Sequence, residues 1–248
     1  MNETIKQLYD RKSTRLFEDR EISAEIKQEI ITCAIQAPTA GNLMMYSIID
    51  VTDQAIKDRL SVLCDNQAFI AQAKMVFIFA SDFQRLYDIF NHAGIENARK
   101  PKESDMMLGF ADAMCAAQNA VVAAHSLGIG SCYIGDIFEN YEEIVKLLSL
   151  PDYVAPLGML VFGYPTEQQK ERAKPLRYDS KFIVHNNNYK QLGREELTEM
   201  IKSNVPTAAA KALTTIEGYG KRIYDFKVGS EFSLEMVRSI KAMLKKWE

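Results

Sequence analysis

The chain has 248 residues, 47% of them apolar, and its 30 basic and 33 acidic side chains give a formal charge of −3. That is enough apolar material for a substantial core, and acid and base are interspersed along the chain, which excludes nucleic-acid binding as a global property. The N-terminus lacks the charged-then-apolar pattern of a signal peptide, and the apolar stretch 106–127 is interrupted by Asp112, Gln118, Asn119 and His125, so the reading is a cytoplasmic protein without a membrane span.

A short amphipathic run, 5–9, opens the chain. Ser23 is placed to cap a helix reaching about residue 36, with Ile26, Ile30, Cys33 and Ala34 at core-facing spacing, Glu25 in its first turn and Pro38 beyond its end. "YSIIDV" and "KMVFIFA" are β-branched and aromatic runs of strand length, separated by a helical pattern at 54–63. From about Asp105 to residue 127 the pattern is a long helix that is apolar nearly all round, predicted to be buried on most faces in a core or against a second subunit, and stopped by Gly128 and Gly130. "SCYIGD" reads as a third strand, "YEEIVKLLSL" as an amphipathic helix and "PLGMLVFGYP" as a fourth strand closed by Gly163 and Pro165. Residues 166–192 form a polar connector with one apolar patch, 182–184, followed by helical patterns at 194–203 and 234–245. These elements predict a single α+β domain with a mixed sheet, residues 1–192, and a helical C-terminal extension, 193–248, packing on the same domain or on a partner subunit. Cys33, Cys64, Cys115 and Cys132 are far apart in apolar contexts without a C-x-x-C, which predicts reduced, mostly buried thiols and no disulfide framework.

Four stretches offer chemistry. "RKSTR" gathers Arg11, Lys12, Ser13 and Arg15, charge-assisted donors and a hydroxyl in the form a phosphate needs, and equally a basic turn of the kind that surfaces carry. "APTAGNLMMYS" is a small-residue loop that lets backbone approach a flat ligand, or an ordinary helix-to-strand connection. "GIGSCYIGD" fails as a dinucleotide fingerprint, because Tyr133 stands where glycine is required and no strand precedes it. "RAKPLRYD" sets Lys174 and Arg177 around a proline in what is otherwise a surface loop. His92, His125 and His185 are isolated from other ligating residues, so no metal site is expected, and His125 reads as a core residue with satisfied hydrogen bonds.

Taken in order and spacing, these stretches resemble the nitroreductase family, in its oxygen-insensitive NADPH nitroreductase and flavin reductase branch. The resemblance runs from Lys6 to about Tyr189 and is carried by "RKSTRLF", "NQAFIAQA", "AAHSLGIGSCYIG" and "FGYP", followed by Lys174, Arg177 and "VHNNNY". It implies a nitroreductase-like mixed central sheet flanked by helices, an intertwined homodimer, FMN as cofactor and NADPH (or NADH) as hydride donor. It further implies ping-pong, two-electron reduction of small acceptors such as nitroaromatics, quinones or free flavins. By analogy Arg11, Lys12, Ser13 and Arg177 hold the FMN phosphate, Arg15 and Lys174 face the flavin N1/O2 edge, and Gln67 bonds the ribityl or pyrimidine region. The resemblance brings Thr39, Ala40, Gly41, Asn42 and Met44 from the partner subunit, sets backbone amides near Ile134 and Gly135 beside flavin N5, and counts Tyr133 among the cofactor-binding residues. No side chain is the nucleophile or base; the flavin carries the hydride. Three positions depart from the pattern: Met44 replaces a glutamine, Asp136 replaces a glycine, and the spacer between Lys174 and Arg177 is one residue longer, which makes Lys170 and Arg172 alternatives there. The rival readings are a specialised relative (a reductive dehalogenase or a flavin-fragmenting enzyme) and a non-catalytic protein that binds FMN or another phosphorylated ligand.

Overall fold

The four apolar runs become the four strands of one sheet. A computed structural model describes residues 1–205 and 211–248. The strands β1 (Tyr46–Asp50), β2 (Met75–Asp82), β3 (Gly130–Ile134) and β4 (Val154–Gly163) lie in the order β1-β2-β4-β3, with every neighbouring pair antiparallel. The parallel component of the sheet is the isolated bridge between Ser13 and Ser131. The two central strands, β2 and β4, are buried at every position, which is why their sequences run apolar without alternation until Ser81 and Asp82 close β2.

The helices in chain order are α1 (Glu3–Asp10), α2 (Ala24–Ile35), α3 (Gln54–Leu63), α4 (Ala68–Gln72), α5 (Gln84–His92), α6 (Glu103–Ser126), α7 (Tyr141–Leu147), α8 (Glu167–Glu171), α9 (Arg194–Asn204), α10 (Ile216–Ile223) and α11 (Glu231–Lys245). Ser23 caps α2 as its position suggests, accepting from the Ile26 N–H at 3.3 Å. Because side chains alternate across a strand, Phe77, Phe79 and Phe162 face α2 and α6 on one side of the sheet, while Val76, Ile78 and Val161 face residues of α3, α4 and α7 on the other. The result is a sheet with an apolar layer on each face.

α6 presents Ala113, Ala116, Ala117, Ala120 and Ala124 to the phenylalanines of the sheet, small residues that let a long helix lie close. By length and composition this helix could cross a membrane, but half of its most apolar stretch is buried inside the protein. On the single chain one part of this helix stays open: Met107, Leu108 and Cys115 are exposed. Cys33 is half-buried, so only Cys64 and Cys132 fit the expected buried thiols, and all four are free. Gly128, at φ +76°, ends the helix in the left-handed region, whereas Gly130 is the first residue of β3 and has another use, described below.

The chain folds as two compact units, Met1–Arg172 with Glu235–Glu248, and Ala173–Leu234, so the boundary expected at 192/193 falls inside the second. In the first unit Met243 and Trp247 pack with Met45, Phe83 and Tyr141, and the Ser239 hydroxyl accepts from the Tyr141 N–H at 3.1 Å. The end of the C-terminal extension thus returns to its own chain; residues 206–210 of that extension lie outside the described residues. In the second unit Phe182 is buried while its neighbours Ile183 and Val184 are exposed, and the hydroxyls of Tyr178 and Tyr219 are 2.7 Å apart.

Candidate functional site

The 11–17 segment leaves α1 and lies along β3. The Thr14 N–H donates to the Ser131 carbonyl at 2.9 Å, Ser13 bridges Ser131, and Phe17 bridges Pro165. Two glycines permit this approach. A Cβ on Gly130 would stand 2.3 Å from the Thr14 hydroxyl, and one on Gly163 would stand 2.6 Å from the Phe17 ring. The segment is also braced from α8: buried Gln169 accepts from the Arg15 N–H at 3.2 Å and donates to the Ser13 carbonyl at 3.1 Å.

Beside this segment is a cavity of about 370 Å³ whose lining includes Arg11, Lys12, His125, Ser131, Gln169 and Lys170. One guanidinium nitrogen of Arg11, Nη1, is buried without a hydrogen-bond partner. An unpaired buried cationic donor is costly, so it marks a place for an anion. Lys12 directs its ammonium at the carbonyls of Lys170 and Arg172, both at 2.5 Å, and so satisfies the C-terminal end of α8. Arg15 is exposed, its guanidinium 5.8 Å from the centre of the Phe69 ring on α4. Burial pushes the Cys132 thiol up against the pull of Arg15 and Arg11.

At the opposite end of β3 the charge reverses. Ile134 is buried and Gly135 exposed, and the 135–138 turn that follows carries Asp136. The Gln67 amide nitrogen donates to the Asp136 carboxylate at 2.7 Å and to the Cys64 carbonyl at 2.9 Å. Glu139 is 6% exposed, with Oε1 unpartnered; burial, then neighbouring Asp136, Asp65 and Glu235, push its carboxyl up to about 7. Tyr133 is half-buried, its hydroxyl donating to Gln118 of α6 at 3.3 Å, and burial pushes it up to about 12.

Thr39, Ala40, Gly41, Asn42 and Met44 form a separate, tightly specified loop. Asp112 of α6, 4% exposed, accepts from the Ala40 N–H at 2.8 Å and the Met45 N–H at 3.2 Å. Thr39 accepts from the Met44 N–H at 3.2 Å, and Arg85 donates to the Met44 and Tyr46 carbonyls at 2.7 and 2.6 Å. Gly41, Asn42 and Met44 all sit at φ between +49° and +59°, a conformation that Met44 adopts only because these bonds fix the loop.

The structure therefore brings Arg11 and Lys12 to one cavity, strings Ser13 and Arg15 along β3, and pairs Gln67 with Asp136 beyond Ile134 and Gly135. Lys174 and Arg177 belong to the second unit, where Arg177 Nη1 donates to the carbonyls of Pro175 and Leu176 at 3.1 and 3.2 Å. One residue escaped notice in the sequence and two were given other roles. Gln169 is a lone amide in a polar run, and only its place on the inner side of a Thr166-capped turn would reveal it. Lys170, considered only as an alternative to Lys174 or Arg177, lines the cavity. His125 is half-buried at the cavity wall and is not the core residue expected.

A family profile, the nitroreductase family, matches residues 8–164. The chain belongs to the nitroreductase family. The match takes in the 11–17 segment, the 39–44 loop, Gln67 and β3, and stops short of Lys174 and Arg177. Among characterised relatives, the Cr(VI) reductase of Pseudomonas sp. is 36% identical over 190 residues, spanning 77% of this chain and 76% of the relative. The oxygen-insensitive NADPH nitroreductase of Salmonella typhimurium is 34% identical over 197 residues, 79% of each chain. The solved NADPH:FMN oxidoreductase from Vibrio harveyi, complexed with NAD+, superposes with a TM-score of 0.79 at 26% identity, covering 98% of both chains.

Proposed function

We propose that this nitroreductase-family protein is an FMN-dependent oxidoreductase that takes hydride from NADPH or NADH and passes two electrons to small acceptors such as nitroaromatics, quinones or free flavins. The observation that carries the reading is the partnerless buried guanidinium nitrogen of Arg11 in a cavity shared with Lys12, His125 and Lys170. The donor set fits a phosphate monoester dianion. When bound, FMN supplies the hydride chemistry.

The chain's own residues then divide the work. Arg11, Lys12 and Ser13 hold the phosphate, with Lys12 tying the segment to α8 at the same time. Arg15 sits at the pyrimidine edge, where a fixed cation favours the reduced form by stabilising the negative charge that reduction places there. Tyr133, Ile134 and Gly135 border the reactive edge. The 39–44 loop, prebuilt on α6, serves the site of a second copy, and the exposed apolar residues Met107, Leu108 and Cys115 of α6 offer a surface for that homodimer. Four free cysteines suit a cytoplasmic location.

The absorbance spectrum of the purified protein tests this directly. The protein, as isolated or after FMN is added, should show a bound flavin spectrum, bleach with NADPH or NADH, and recover its colour with a quinone. A preparation that takes up no FMN overturns the assignment, and bound flavin that no nicotinamide donor bleaches makes the protein a binder without turnover.

A further inference from the structure

Gln67 is held from both sides before any ligand arrives. Its backbone N–H donates to the Ser61 carbonyl at 2.8 Å, and it follows Asp65 and Asn66, both in the left-handed region, at φ +58° and +52°. Its side-chain nitrogen has two partners, the Cys64 carbonyl and the Asp136 carboxylate. A carbonyl and a carboxylate are acceptors only, so the NH₂ end must face them and the amide cannot be turned round without setting oxygen against oxygen. The carbonyl oxygen, Oε1, is the end left for a ligand.

We infer that Asp136 is a positioning residue that locks the Gln67 amide as a hydrogen-bond acceptor toward the cofactor, so that Gln67 recognises a donor on FMN, either the ring N3–H or a ribityl hydroxyl. The inference rests on the FMN reading above. Glu139 supports it: neighbouring Asp136, with a carboxyl raised to about 7, it holds a proton over most of the acid range and does not oppose the Asp136 carboxylate with a second full charge there.

The test is a double-mutant cycle read by FMN affinity, from quenching of flavin fluorescence as apoprotein is added. Asp136→Ala should weaken FMN binding roughly 3- to 10-fold, the range of one net hydrogen bond. Asp136→Asn keeps an acceptor oxygen for the Gln67 nitrogen and should restore most of the loss. In a Gln67→Ala background Asp136→Ala should have no further effect, because its influence passes through Gln67. Of two analogues, N3-methyl-FMN and an FMN lacking a ribityl hydroxyl, one should bind the unsubstituted protein as weakly as FMN binds Gln67→Ala, and should be indifferent to Asp136→Ala. Circular dichroism confirms that each variant is folded. Equal effects of Asp136→Ala in both backgrounds, or analogues that both bind like FMN, overturn the inference alone. Failure of the unsubstituted apoprotein to quench FMN overturns the functional reading, and this inference with it.

Discussion

The two ends of β3 solve opposite electrostatic problems. At its Ser131 end the 11–17 segment gathers cations, and the cost of crowding them is relieved by backbone: Lys12 is absorbed by two carbonyls and Arg15 leans over an aromatic ring, leaving Arg11 Nη1 with nothing to bind. At its Gly135 end Asp136, Glu139, Asp65 and Glu235 gather, and the cost is relieved by a proton on Glu139 and by the Gln67 amide on Asp136. The lesson is that one end stores an unmet demand for an anion, whereas the other has met its demand internally at the expense of a titratable group.

The largest expected effect breaks the acid end. The folded carboxyl of Glu139 titrates near 7 against an ordinary 4.5. Below about pH 4.5 the group is protonated in both folded and unfolded states and costs nothing. Between 4.5 and 7 the folded state keeps a proton that the unfolded state releases, so stability falls as pH rises, and above 7 the whole penalty of about 3 kcal/mol is present. Glu139→Gln should therefore raise the melting temperature at pH 8, leave it nearly unchanged at pH 4, and flatten the slope between. An unchanged slope would show that the carboxyl is not held neutral.

The cation end is broken next, by Arg11→Leu. Losing a charge-assisted bond to phosphate costs roughly 1.5 to 3 kcal/mol, which is about a 10- to 150-fold weaker FMN affinity in a titration of apoprotein, while thermal stability without FMN should rise or stay level because a buried unpaired donor is gone. A third substitution, Asp112→Ala, sits at neither end and serves as the contrast. It strips two loop N–H groups of their acceptor, and denaturant unfolding should report a loss of roughly 2 kcal/mol with the Arg11 cavity unaffected. The smallest effect sharpens the comparison at Arg15. If its cation faces the pyrimidine edge, Arg15→Leu should lower the two-electron midpoint potential by about 30 mV for each 1.4 kcal/mol of selective stabilisation lost. Arg11→Leu should leave the potential of retained flavin unchanged. An equal change in both variants would erase the division of labour between them.

The cation end was legible in the sequence and the acid end largely was not. "RKSTR" is contiguous, so its chemistry is visible without folding. Asp65, Asp136, Glu139 and Glu235 are brought together only by the turn after β3 and by the return of α11, and Asp136 was visible just as a departure from a pattern. The strands were legible because β4 and the first six residues of β2 run apolar, and α2 because Ser23 caps it. Gly130 was misread as a helix stop because its purpose, room for the Thr14 hydroxyl, belongs to a residue far away in sequence. The extension boundary at 192/193 was placed by a change in local polarity, whereas the compact units part at Arg172 and Glu235.

The polar residues that interrupt α6 count in the sequence against a membrane span. Each has a distant partner in the fold: Asp112 the 39–44 loop, Gln118 the Tyr133 hydroxyl, Asn119 the Cys33 carbonyl at 3.2 Å, and His125 the cavity wall. From Asp112 to His125 is about 20 Å of straight helix at 1.5 Å per residue. The helix is therefore a ruler against which separately encoded pieces are set out, and its graduations are angular as well as linear. One alanine inserted between Asp112 and Gln118 would turn everything beyond it by about 100°. It would take Gln118, Asn119 and His125 off their marks together while leaving each residue intact. Many substitutions between the marks preserve this scale, but a change of length by a single residue does not.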